Sequence, residues 1–269
     1  MGGVRSGIAG ALMVLGVRLL GIRWPTRKQW IGAAVSGVVL MSVSNGLVGY
    51  ASRLIPSSLS ALLVGVTPLW LVVLDWKVFR AKAPTGPVLL GIGIGLAGLG
   101  LLVGPALAVH PGEIRGDALL GLGLVFVAGG TWAFGSLLSR HRPHPADMRM
   151  TAGIQLFFGG MGQLVLATVA GEWADLHPAA ISARSLWAVG YLVVVGSWIG
   201  FLSYVTVVRR APTALASTYA YVNPVVAVAA GWALAGEPVT GRILLAAAVL
   251  LAGVAVVTLS AKPKGSAKR

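Results

Sequence analysis

Nine apolar runs follow one another along this chain, joined by short polar linkers, and that succession leaves little choice of fold. Their limits are 4–22, 31–51, 60–79, 87–106, 117–139, 149–170, 187–208, 213–234 and 242–260. About 20 apolar residues let a helix cross the hydrocarbon core of a bilayer, and each run approaches that length. Within lipid every backbone polar group must be satisfied by the protein itself, so such runs fold as helices. The expectation is an all-α polytopic membrane protein. Composition agrees, since 57% of the residues are apolar and only 10% charged, where soluble domains carry roughly 25% charged residues. The 38 glycines allow helices to approach closely. There is no cysteine, which removes disulfides and thiol chemistry. A net charge of +14 would suggest nucleic acid on a soluble domain. Here the cations stand mostly in linkers between apolar runs, so no nucleic-acid partner is expected. Arg5 and the apolar run after it imitate a signal peptide, but Arg18 interrupts the run and no small-residue cleavage site precedes a soluble domain.

The chain is also duplicated. Residues 42–103 and 197–258 repeat one another: Arg53, Pro56 and Pro68 recur as Arg209, Pro212 and Pro224, Thr85-Gly86 recurs as Thr240-Gly241, and Trp30 as Trp187. The second copy, 117–260, holds five apolar runs, whereas the first, 1–106, shows four. Gly153-Ile154 aligns with Gly7-Ile8, and that offset puts the partner of the 117–139 run ahead of Met1. Nine visible helices from a ten-helix chain are therefore expected, with the first helix of the first repeat missing. Five helices per copy is an odd number, so the second copy sits upside down relative to the first, as in many secondary transporters. The cations fit this. With the basic tail 261–269 in the cytoplasm, the cytoplasmic side holds 15 Lys and Arg residues and the outside 5. Such a bias orients multi-pass proteins of the cell (inner or plasma) membrane.

Three stretches carry a family resemblance: Asn45 to Trp70 (NGLVGYASRLIPSSLSALLVGVTPLW), Gly91 to Val103 (GIGIGLAGLGLLV) and Ala211 to Thr240 (APTALASTYAYVNPVVAVAAGWALAGEPVT). Their order is an apolar helix, a short Pro loop, an Ala/Ser-rich helix with Pro, a turn and a glycine-rich helix. It resembles the EamA-type permeases of the drug/metabolite transporter superfamily over nearly the whole chain. The chain departs from the pattern in lacking the first helix, and in reading Lys82 where the second repeat has the acidic Glu237. The resemblance implies a central cavity lined by the interrupted helices and their neighbours.

The residues suited to such a cavity are polar side chains inside the runs: Asn45, Thr67, Trp132, Gln155, Ser217, Tyr221 and Asn223. The competing reading for each is an interhelical hydrogen bond, worth about 0.6 kcal/mol. Thr67 and Asn223 precede Pro68 and Pro224, which are repeat mates and the expected helix breaks. Each proline removes a donor and should free the carbonyl four residues earlier, at Val64 and Ala220. Gln163, late in its run, is expected to matter less. Asp75 and Arg18 are intramembrane charges, functional by default. Both lie near span ends, however, so snorkelling is expected, with Asp75 pairing locally near Lys77 and Arg80. Gly93 to Gly98 matches a dinucleotide fingerprint by letter, but no strand precedes it. Gly91 and Gly95 read better as a GxxxG packing face. Trp24, Trp30, Trp173 and Trp187 mark span ends as interfacial anchors. The four histidines (His110, His141, His144, His177) lie in loops without a third ligand nearby, so neither metal nor cofactor is expected.

Function follows from these exclusions. A secondary transporter is favoured, exporting small metabolites, amino acids or drugs by alternating access. Its expected partners are a small-molecule substrate and the lipid bilayer, with a homodimer left open. A channel or structural membrane protein is the alternative. An intramembrane enzyme would need convergent acids, histidines or a nucleophile–base pair, and none is placed to serve.

Overall fold

The computed structural model describes residues 2–55, 60, 64–108, 116–175, 182–235 and 240–260, with some side chains beyond 101, 173 and 223 left aside. All regular structure among them is helical. We number the helices α1 Gly2–Leu19, α2 Arg27–Ala51, α3 Thr67–Lys77, α4 Gly86–Ala108, α5 Gly116–His141, α6 Met148–Val169, α7 Ala183–Arg210, α8 Thr213–Ser217, α9 Tyr219–Ala235 and α10 Gly241–Ser260. Among the described residues six are long and apolar enough to cross a membrane, α1, α2, α5, α6, α7 and α10, and Gly86–Leu101 of α4 is a shorter apolar helix. The run expected at 60–79 is described as helix α3 only from Thr67. The run expected at 213–234 is divided between α8 and α9 by a break at Thr218. Pro56, Arg115, His110, His177, Glu237 and the tail 261–269 lie outside the described residues.

Local chemistry sets the helix ends. Thr26 caps α2 through a reciprocal pair of bonds with Gln29. Asp147 caps α6 by accepting from the Arg149 and Met150 N–H groups. Gly21 and Gly171 end α1 and α6 in the left-handed region, at φ of 83° and 71°. Glycine enters that region without steric cost.

The helices form two compact units, Met1–Leu47 with Phe134–Arg210, and Val48–Ala133 with Ala211–Arg269. In the first, α1 crosses α6 over a seam of glycines. A Cβ on Gly10 would collide with the backbone of Phe157, and one on Gly160 with the backbone of Gly7. In the second unit α4 crosses α10 in the same manner. A Cβ on Gly253 would stand 2.8 Å from the Gly91 carbonyl oxygen. Gly91 and Gly95 thus form the packing face that their spacing predicts. Both crossings join segments that the duplication makes equivalent. Apolar layers complete the second unit, with Leu99, Tyr221 and Leu250 in one cluster and Val72, Val88, Ile92 and Val257 in another.

Two helices carry long π-helical segments, Val38–Val43 in α2 and Leu192–Phe201 in α7. These helices are also repeat mates. The offset of 157 that links Trp30 to Trp187 carries 38–43 onto 195–200, inside the second segment. Wide turns of this kind cluster at functional sites.

Candidate functional site

The expected site residues divide between the two units. Asn45 and Gln155 belong to the first. Thr67, Trp132, Ser217, Tyr221 and Asn223 belong to the second, together with Pro68 and Pro224.

In the second unit, Pro68 occupies the first turn of α3, with Val66 as the cap residue. A proline there loses no helical hydrogen bond, so the chain turns at residues 65–66, ahead of the proline. The Val64 carbonyl is not left spare as its position before Pro68 suggests. The Thr67 hydroxyl donates to it. Thr67 is buried and faces Gly129 of α5. One turn along α3, Trp70 lays its indole over Gly130, 3.3 Å from where a Cβ would stand. Its ring tilts against Phe126 at 4.9 Å. The absence of side chains at Gly129-Gly130 makes room for this aromatic. The Trp70 Nε1–H is buried there, without an acceptor among the described residues. A buried donor left unpaired costs about 1–3 kcal/mol. Trp132, on the next turn of α5, is half-buried. Thr67 and Trp70 of α3 therefore meet Gly129, Gly130 and Phe126 of α5 in one patch. Sequence reasoning does not single out Trp70. Its only signal is an aromatic with a polar edge, one turn beyond Thr67-Pro68 and inside an apolar run.

The second repeat is built differently at the equivalent place. The break comes at Thr218, six residues before Pro224, and Pro224 lies within α9. Ser217 and Thr218 turn their hydroxyls onto the carbonyls of Ala214 and Leu215. Hydroxyls that bond backward in this way compete with regular helix. Tyr221 is fully buried, its hydroxyl donating to the Ile92 carbonyl at 3.2 Å and its ring seated on Gly95. Asn223 is exposed. Asp75, buried on α3, accepts from the hydroxyl of Thr213 at the start of α8, a partner far off in sequence. Lys77 lies over the Trp76 ring at 3.7 Å.

In the first unit, Asn45 is exposed and reaches the Met41 sulfur at 3.6 Å. Gln155 is fully buried and donates to Ser36 and Ser139 at 2.8 and 2.9 Å. Ser36 in turn meets His144 Nε2 at 3.0 Å, and His144 Nδ1 lies 2.8 Å from the Arg142 carbonyl. A polar chain thus runs from the α5–α6 loop into the helices. Burial, more than any charge, holds the His144 pKa below its ordinary value of 6.5. The Arg142 carbonyl opposes the shift, and Arg209 adds to it. The Gln163 amide donates to the Met41 carbonyl at 2.8 Å within the π segment of α2, which gives this residue a structural role. Ser42 in the same segment donates to the Gly159 carbonyl at 2.8 Å. In the matching segment of α7, Trp198 donates to the Ala9 carbonyl at 3.0 Å. Arg18 stands over Trp24 at 5.9 Å, at the end of α1 where snorkelling would carry it.

Comparison with known proteins places these observations. Residues 119–259 match the EamA-like transporter family. The chain is 34% identical over 260 residues to the inner membrane transporter YedA of Escherichia coli strain K12, covering 96% of this chain and 81% of that one. It is 24% identical to Protein PecM of Dickeya dadantii strain 3937, over 92% of this chain and 80% of that one. It is 22% identical to the transporter YvbV of Bacillus subtilis strain 168, over 98% and 84%. A solved crystal structure shares the fold at a TM-score of 0.76, with 19% identity over 97% of this chain and 87% of that one.

Proposed function

The chain belongs to the EamA-like transporter family and is a multi-pass membrane transporter; from that premise we propose that it is a secondary exporter of small metabolites, amino acids or drugs, working by alternating access of two inverted repeats. The observation that carries this reading is the pairing of equivalent segments. α1 packs on α6 and α4 on α10, each pair through glycine seams in which an added Cβ finds no room. A duplicated chain that closes its own mates on one another has the symmetry that alternating access uses. The matching π segments of α2 and α7 support it further.

The substrate contacts belong to the patch of Thr67 and Trp70, to Trp132 and to Asn223. Thr67 contributes through its backbone turn more than through its hydroxyl, which already serves Val64. Asn45, Gln155, Ser217 and Tyr221 stay in the proposal as positions that an alternating cycle brings to substrate. Aromatic rings and few charges suit a neutral, zwitterionic or amphipathic molecule. The excess of Lys and Arg on one side, 15 against 5, supports a cytoplasmic C-terminus.

The test is efflux from everted and right-side-out membrane vesicles, run on a panel of amino acids, sugars and amphipathic drugs. Saturable, energised movement of one class out of the cell is expected. Uptake into the cell, or no difference from vesicles lacking the protein, would overturn the exporter reading. A reporter fused after Arg269 should be active only when it requires the cytoplasm.

A further inference from the structure

One cavity of the first unit has no part in the proposed transport path. It has a volume of about 390 Å³ and opens between the start of α2 and the end of α5. Lys28 and Arg142 flank it, both exposed, and no carboxylate stands among its lining residues. Its walls are apolar: Ile31, Val35 and Leu138. Gly32, also in the lining, lets α2 close on the α5–α6 loop, since a Cβ there would strike the Pro143 carbonyl.

Its depth in the membrane is marked by its neighbours. Lys28 falls between Trp24 and Trp30 in the sequence, the two rings stack at 6.0 Å, and Arg18 stands over Trp24. Tryptophans and snorkelling cations of this kind sit at the headgroup level. From that level Ile31 and Val35, one turn apart on α2, run away from the cations with 53% and 48% of their surface exposed. A cationic mouth with an apolar lane leading from it matches an amphiphile that has an anionic head and a hydrocarbon tail. The cavity is near the lower end of the volumes that small-molecule sites span, large enough for a headgroup and too small for a whole lipid. We propose that it binds the phosphate headgroup of an anionic phospholipid, with one acyl chain lying along Ile31 and Val35. Basic pockets between transmembrane helices recognise such headgroups.

The experiment uses the purified full chain in neutral detergent. Thermal shift and native mass spectrometry are measured with dioleoyl phosphatidylglycerol, dioleoyl phosphatidylcholine and glycerol 3-phosphate. Phosphatidylglycerol is expected to raise the melting temperature saturably and to remain bound in the gas phase. Phosphatidylcholine at the same concentration should do neither, and glycerol 3-phosphate should bind at least tenfold more weakly. Lys28→Gln with Arg142→Gln should remove the preference while leaving the melting temperature in phosphatidylcholine unchanged, because both side chains are exposed. Lys82→Gln, a cation of the other unit, should keep the preference. Val35→Gln should weaken phosphatidylglycerol without affecting glycerol 3-phosphate. Equal response to the two lipids, or a preference that survives loss of both cations, would overturn the proposal. Glycerol 3-phosphate binding as tightly as the lipid would show a soluble-anion site instead. If the double variant unfolds, the single Lys28→Gln decides, and an undiminished preference there counts against the site.

Discussion

At the scale of single residues, the decisive facts are which polar groups already have partners. Trp70 lacks one for its indole N–H among the described residues, while Thr67 has one. Trp70→Phe keeps an aromatic ring on this face of α3 and removes the donor, together with part of the indole's packing over Gly130. The melting temperature should change little, since the relief of a buried unpaired donor offsets the lost packing. The half-saturating substrate concentration should rise by about two- to twelvefold, the equivalent of a hydrogen bond worth roughly 0.5–1.5 kcal/mol. Asn223→Ala should weaken substrate by a similar factor. Thr67→Val should instead destabilise the fold by about 1 kcal/mol, because it strips the Val64 carbonyl of its partner. Unchanged kinetics in both Trp70→Phe and Asn223→Ala, at normal membrane abundance, would remove these residues from the site. His144 makes a separate prediction. Its folded pKa lies below 6.5 because burial disfavours the charged ring. The unfolded chain therefore takes up a proton first as pH falls. The stabilisation is present above 6.5 and is lost as pH drops from 6.5 towards the folded value. Between pH 7 and 5.5 the wild type should lose more melting temperature than His144→Gln, and equal losses would assign the acid sensitivity elsewhere.

At the scale of elements, the sequence states lengths well and local geometry poorly. The limits of α1, α4, α5, α6 and α10 fall within a few residues of the apolar runs, because transfer into lipid depends on span length and apolar content, which are additive over residues. The π segments of α2 and α7 leave no such trace. Their residues would suit an ordinary helix, and the α2 segment is tied to α6 by bonds between residues far apart in sequence, Gln163 donating to the Met41 carbonyl and Ser42 to the Gly159 carbonyl. The break falls at Thr218 rather than at Pro224 for a related reason. Proline is a visible punctuation mark, whereas the backward-bonding hydroxyls of Ser217 and Thr218 compete with helix only in context. Asp75 illustrates the same limit, since its partner Thr213 is far away in the chain. The glycine seams are open to a direct check. Gly10→Ala and Gly253→Ala place a methyl against backbone and should each destabilise by about 1–3 kcal/mol. Gly93→Ala meets nothing within 4 Å and should leave the melting temperature alone. If all three behave alike, the seams are not what joins the helices.

At the scale of the whole molecule, the repeat is the most informative part of the sequence, and the structure shows what it builds: equivalent segments crossing one another inside each unit. The proposed site is only partly legible. Thr67 marks a stretch of α3, but its neighbour Trp70 and the Gly129-Gly130 gap that accommodates it become visible only when α3 and α5 are packed. The central claim is that this duplicated chain carries substrate by alternating its access rather than forming a continuous pore. Counterflow in proteoliposomes tests that most directly. Vesicles of the purified protein are loaded with excess unlabelled substrate, and labelled substrate is added outside in trace amounts, with no ion gradient. Alternating access predicts a transient accumulation of label above its outside concentration, abolished when the unlabelled pool is omitted. Label that only equilibrates, at a rate independent of the trapped substrate, would contradict the account and indicate a channel.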